Sequence, residues 1–208
     1  RVVIPPLPMS RLLDVIGERF TPERVGGKGF LSAARTAFSG KLHVVDDGAL
    51  AGGLRSRSFD DRGVPPVPLT LIREGCVGGR FLDPERARQL GTRPTGHCTG
   101  DGLMAGNLVM REGTRSINAL LTELGGPSLQ IDDLYDLSGL DLDTGALDVV
   151  VDGVVMDANI PVGAMQRVRL TGDLGALFAG IAEVCNNTDR IGHVDAASLI
   201  ADGLVLAG

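Results

Sequence analysis

The sequence contains no tryptophan and a single tyrosine, so with six phenylalanines aromatic residues make up only 3% of its 208 positions. A core of that size must be filled by Val, Leu, Ile and Ala, which a hydrophobic content of 43% allows. Cysteine is scarce too: Cys76, Cys98 and Cys185 are odd in number and scattered, which excludes a disulfide framework and points to a reducing cytoplasm. Basic residues are outnumbered, 20 Lys and Arg against 26 Asp and Glu, for a net charge of −6. A duplex-binding surface normally shows a basic patch, so no direct nucleic-acid partner is expected. No apolar run reaches membrane-spanning length, and the first residues lack a cationic stretch leading into an apolar one, so neither a membrane partner nor a secretion signal is read. The Gly-x-x-x-x-Gly-Lys-Ser/Thr string of a phosphate loop is missing. The chain begins at Arg1 rather than Met. Residues 1–40 therefore read as an extended segment and helix that could be the remnant of a preceding domain, and 41–208 as the main domain.

What is abundant is punctuation. Thirty glycines and eleven prolines imply many turns and favour a β-rich fold over a helical bundle. Residues 58–96 carry the clearest signals. Val67 opens an apolar run to Ile72, prolines at 65, 66 and 68 confine its start to an edge or entry, and Glu74-Gly75 is a tight-turn dipeptide before an antiparallel return over 76–82. Asp83-Pro84-Glu85 then supplies a helix cap, a proline at the first helical position and an acid in the first turn, and Gly91 stops the helix. Elsewhere Ser10 is expected to cap a helix over 10–20, on which Leu12, Ile16 and Phe20 share a face; 21–29 reads as loop and 31–38 is ambiguous. Thr114 or Ser116 caps a second helix, stopped by Gly125-Gly126. Thr171-Gly172-Asp173 opens a third, with Leu174, Leu177, Phe178, Ile181 and Val184 along one side. Strands are expected at 41–46, 107–110, 129–137 and 160–170, with hairpins turning at Asp152-Gly153 and Asp202-Gly203. The sum is an α+β fold dominated by antiparallel sheet, with barrel closure as one option and three or four peripheral helices.

The central run SFDDRGVPPVPLTLIREGCVGGRFLDPERARQLGTRPTG resembles the C-terminal region of the TldD/PmbA proteins, called modulators of DNA gyrase or peptide-maturation proteases. NLVMREGTRSINALLTEL, VRLTGDLGALFAGIAEV and AASLIADGLVLAG extend the likeness in the family's order. The resemblance implies a sheet-dominated α+β domain. It also implies a zinc-binding His-Glu-x-x-x-His helix in catalytic members, falling just before Gly17-Glu18-Arg19-Phe20. Here that stretch reads Met9-Ser10-Arg11-Leu12-Leu13-Asp14-Val15-Ile16-Gly17 and holds no histidine. Catalytic members also supply a cysteine after the segment matching Asn186-Asn187-Thr188-Asp189, whereas Cys185 precedes it. An open catalytic zinc needs three protein ligands. The resemblance therefore points to the non-catalytic PmbA or TldE type, with no cofactor in this chain and zinc in a TldD-like partner. The other partner options are a homodimer and a peptide substrate.

The remaining site candidates are few. His97 and Cys98 are adjacent and could join a metal site with Cys76 or His43, but no Cys-x-x-Cys or His-x-x-x-His spacing supports this, and His97 reads as a loop residue in solvent. His193, after Ile191-Gly192, reads as a surface-loop histidine that could face a peptide. His97, Asn107 and His193 stand as candidate peptide contacts, and no catalytic residue is assigned. Asp60-Asp61 reads as a capped turn rather than a catalytic pair. The acidic run from Asp132 to Asp148 lacks the late glutamate of a calcium loop. Open sheet edges could accept a peptide as an added strand. Three readings stay open: non-catalytic partner, active metallopeptidase with ligands missing or at positions such as His97, Cys98 or His193, and a scaffold unconnected with proteolysis.

Overall fold

The computed structural model describes residues 1–33, 37–100 and 102–207. The ambiguous stretch 31–38 lies partly outside them. Strand β1 (Val2–Ile4) is wholly buried and leads into helix α1 (Pro6–Gly17), followed by a single turn, α2 (Pro22–Val25). Helix α1 starts four residues before the expected Ser10 cap because Pro6 takes a first-turn position where no backbone donor is needed. Ser10 instead lies within the helix and returns its hydroxyl proton to the Leu7 carbonyl at 2.7 Å.

Next come β2 (Val44–Asp46), β3 (Leu69–Arg73) and β4 (Cys76–Val77), and β3 turns into β4 at Glu74-Gly75. Both turn residues have positive φ, 48° and 78°, the geometry that matches the twist of a two-residue hairpin. Helix α3 (Pro84–Gln89) is capped by Asp83, whose carboxylate accepts from the Arg86 amide at 2.7 Å. A small hairpin, β5 (Cys98–Thr99) and β6 (Gly102–Leu103), precedes β7 (Leu108–Met110). Ser116, not Thr114, caps α4 (Ile117–Leu124).

The second half is mostly strand: β8 (Pro127–Asp136), β9 (Ala146–Asp157), β10 (Ile160–Asp173), the short helix α5 (Leu174–Ala179), β11 (Ile181–Ile191), β12 (Val194–Ala201) and β13 (Leu204–Ala207). The structure corrects two expected hairpins. Strand β9 runs straight through Asp152-Gly153, its alternate residues Leu147, Val149, Val151 and Gly153 staying buried. Asp152 is held across the sheet by the Tyr135 hydroxyl and the Arg167 amide, and the real turn is at 158–159. Strand β12 does not fold back on β13, which pairs with β10. The expected third helix also stops at Ala179, and Ile181 and Val184 belong to β11, paired with β12.

The main sheet runs β13-β10-β9-β8-β1-β12-β7-β2-β3-β4, with β11 attached to β12. It is α+β and sheet-dominated as expected, but mixed: β1 lies parallel to β8 and β12 parallel to β7. Barrel closure is corrected as well, because the strand path is open, and the described residues form five helices rather than three or four. A strand has two hydrogen-bonding edges. Strand β11 follows β12 from Ile181↔Ala201 to Ile191↔Val194, so β1 and β7 must share the other edge, β1 at residues 199–201 and β7 at 194–195. The sheet therefore forks at β12. Helix α1 packs over the fork, with Met9, Leu12, Leu13 and Ile16 in the main core. A smaller core of Val3, Leu120, Leu121, Cys185 and Ile200 lies under α4.

Candidate functional site

The fork brings the C-terminal end of α1 against the β11–β12 turn. Asp14 and Glu18 are four residues apart and so share one face of the helix end. His193 is held from the other side: Gly192 takes φ 63° in the turn, and the His193 carbonyl accepts from the Leu108 amide at 2.9 Å. Ligand-type atoms of Asp14, Glu18 and His193 lie within 4.8 Å of one another, the one such group of three or more among the described residues. The His193 side chain is only 10% exposed, and its Nε2 sits 3.1 Å from Asp14 Oδ1 without the alignment of a hydrogen bond. Burial and the nearby Arg55 guanidinium push the His193 pKa below the usual histidine value, while Asp14 and Glu18 pull the other way.

Glu18 is tied more firmly. Arg55 Nη1 donates to Glu18 Oε1 at 2.6 Å and to the Ala105 carbonyl at 3.1 Å, and the Ala105 amide donates to Glu18 Oε2 at 2.9 Å. Asn107 holds the loop that carries Arg55. Its Oδ1 accepts from the Arg55 amide at 2.9 Å, and its Nδ2 donates to the Asp47 carbonyl at 2.8 Å and the Ser56 hydroxyl at 3.0 Å. Asn107 is thus fully buried and occupied within the protein.

The His97-Cys98 pair is not a site of this kind. The reading of His97 in solvent is corrected: the ring is fully buried and stacks on Phe81 at 4.3 Å between centroids. Its Nε2 pairs with Asp46 Oδ1 at 2.8 Å and its Nδ1 with Thr95 Oγ1 at 2.9 Å. Asp46 Oδ2 accepts from the Gly106 amide at 2.6 Å. His97 and Asn107 are both buried with their polar atoms bonded within the protein, and neither His43 nor Cys76 gathers with His97 and Cys98 into a metal-type cluster. Cys98 faces Asp60; burial, with the Asp60 charge, pushes its thiol up to about 11, so it is a poor nucleophile near neutral pH. Burial pushes Cys185 up to about 11 as well. Asp60 is the turn cap expected of it, accepting from the Arg62, Val64 and Cys98 amides, each at 2.9 Å.

Residues 1–208 match the family described as the PmbA/TldA metallopeptidase C-terminal domain. The chain belongs to this family. A Buchnera aphidicola protein named Metalloprotease PmbA homolog is 24% identical over 179 residues, covering 82% of this chain and 37% of that protein. A Synechocystis protein named as a metalloprotease is 40% identical over a shorter stretch of 58 residues, 28% of this chain and 12% of that one. Solved structures share the fold at 20% identity: a Thermotoga maritima protein described as a candidate modulator of a DNA gyrase, with TM-score 0.83 over 99% of this chain and 49% of that one, and TldE from Thermococcus kodakarensis, with TM-score 0.80 over 100% and 50%. The chain spans about half the length of these structures and 37% or less of the curated relatives it matches.

A metallopeptidase family implies a metal, and the donor set tests whether one fits. Among the described residues of this PmbA/TldA domain, the candidate ligands gathered at α1 are two carboxylates and one imidazole. Zinc bonds of about 2.0–2.2 Å place tetrahedral ligand atoms about 3.3–3.6 Å apart. Asp14 and His193 meet that spacing within a few tenths of an ångström, and Glu18 lies within 4.8 Å of both. Glu18, however, already accepts from the Arg55 guanidinium at one oxygen and from the Ala105 amide at the other, so a zinc there would share the carboxylate with a fixed positive charge. The residues present do not fit a catalytic zinc. The sequence reading missed Asp14, Glu18 and Arg55 as a group. The i, i+4 acids on α1 were visible, but nothing local joins them to Arg55 or His193.

Proposed function

We propose that this PmbA/TldA domain serves a peptide-processing assembly as its non-catalytic subunit, with the zinc chemistry in a TldD-like partner. The observation that carries this reading is the state of α1, which bears no imidazole where the family resemblance expects two, and whose Glu18 is clamped by a guanidinium. The domain would supply wall and peptide-docking surface. The outer edge of β11 beyond Asn186 suits that role: residues 187–190 are exposed and polar, and an extended peptide could add there through main-chain hydrogen bonds that make little demand on sequence. A homodimer could line a chamber in the same way. Three unpaired cysteines suit a reducing cytoplasm.

The rival reading, an active metallopeptidase with unusual ligands, is favoured by one fact, the approach of His193 to Asp14 at 3.1 Å. Elemental analysis and a peptide-cleavage assay separate the two. The chain alone should carry substoichiometric zinc and cleave no unfolded peptide, and should co-migrate on gel filtration with a relative that has the His-Glu-x-x-x-His helix. Stoichiometric zinc and cleavage, both lost in His193→Ala, would overturn the proposal.

A further inference from the structure

We propose that Arg55 is a resident cation at the Asp14–Glu18–His193 cluster, taking up the charge that would otherwise hold a divalent metal and keeping such a metal out. The inference deepens the non-catalytic reading and rests on it.

Three observations carry it. First, the cluster has the makings of a cation site: two carboxylates on one helical face and a buried imidazole whose Nε2 points at them without an aligned hydrogen bond. Second, the position a metal would need is already supplied with positive charge. The Arg55 guanidinium, a planar cation, sits 2.6 Å from Glu18 Oε1, with both side chains about one-quarter to one-third exposed. A second cation there would meet a like charge at short range in a partly dehydrated setting. Third, Arg55 is not free to swing aside. Its Nη1 also donates to Ala105, its own amide is fixed by Asn107, and Asn107 is anchored at Asp47 and Ser56. The Ala105 amide in turn donates to the second Glu18 oxygen, so guanidinium, carboxylate and the Ala105 backbone form a closed ring. Asn107, read as a peptide contact from the sequence, is on this account a positioning residue for the loop that delivers the charge.

The test uses the metal ion alone. Apo protein is titrated with Zn²⁺ by equilibrium dialysis and with Co²⁺ by visible absorption, for wild type, Arg55→Lys, Arg55→Met and Arg55→Gln. Wild type and Arg55→Lys should show no saturable site. The neutral variants should gain one, binding at least about tenfold more strongly than any weak, unsaturated wild-type uptake, as expected from removing a like charge a few ångströms away, with a cobalt absorption band that disappears when His193→Ala is added. Gln keeps a donor for the Ala105 carbonyl, so it retains part of the ring if Met proves too disruptive. Wild type also gives a direct readout, since three histidine ring signals are to be resolved and that of His193 should not move in excess zinc. Folded neutral variants that bind neither ion would overturn the inference and leave the non-catalytic reading standing. Saturable zinc on wild-type His193 without peptide cleavage would also overturn the inference alone. The same binding accompanied by cleavage would overturn both.

Discussion

Burial separates the three cysteines and the three histidines by chemistry. Cys76 is exposed while Cys98 and Cys185 are buried with thiols pushed up to about 11. An aromatic disulfide reagent at pH 8 should therefore titrate one thiol quickly in the native protein, and all three in denaturant. Rapid reaction of Cys98 would contradict its placement. At His97 the sequence was misleading. A glycine-flanked histidine reads as solvated, and nothing local announces that Asp46, fifty-one residues earlier, closes onto its ring. Asp60 was legible as a turn cap because two of its three partners, the Arg62 and Val64 amides, are the next few residues and the Asp-Gly-Pro context favours turns; its third bond, from the Cys98 amide, was not. His97→Ala would leave Asp46 buried with one bond fewer and a void against Phe81. It should cost about 3 kcal/mol in urea unfolding, with Asp46→Asn costing less because an amide can keep part of the pairing.

Local elements were legible wherever their instructions are local. The Glu74-Gly75 turn, the Asp83 cap and the Ser116 and Asp173 caps all lie within a few residues of what they control. Strand β9 defeated the same logic. Asp152-Gly153 has turn chemistry, yet the glycine serves a close approach instead, since a Cβ there would meet the Gln130 carbonyl oxygen at 2.3 Å. Two turn glycines make a controlled comparison. Gly63 and Gly75 have similar φ, 75° and 78°, but a Cβ on Gly63 meets nothing within 4 Å whereas one on Gly75 meets the Phe38 carbonyl oxygen at 2.3 Å. Gly63→Ala should cost about 1 kcal/mol, the left-handed strain alone. Gly75→Ala should cost clearly more, about 3 kcal/mol, because backbone must also move. Equal shifts in thermal midpoint for the two variants would refute the close approach of the Phe38 carbonyl as the deciding difference.

The whole molecule answers to pH through the histidines that the fold dehydrates. Burial lowers the His193 pKa, helped by Arg55, and burial lowers that of His43, helped by Arg111 and Arg73. Folded protein thus binds fewer protons at these sites than unfolded chain, so their contribution to stability is whole above about pH 6.5 and is lost as pH falls below it. Thermal melts between pH 7.5 and 5 should show a declining midpoint, and His43→Gln with His193→Gln should flatten that decline; an unchanged slope would count against it. Composition, hydrophobic pattern and turn residues by themselves determined that this chain makes a sheet-dominated α+β domain and that α1 lacks imidazoles, because each of those is written in neighbouring residues, while the family was carried by the resemblance of the run over 58–96. Which strand pairs with which, the fork at β12, and the meeting of Asp14, Glu18, Arg55 and His193 were decided only in three dimensions. Those partners are separated by up to about 180 positions in the chain, and only the closing of long loops by the shared core brings their charges within reach.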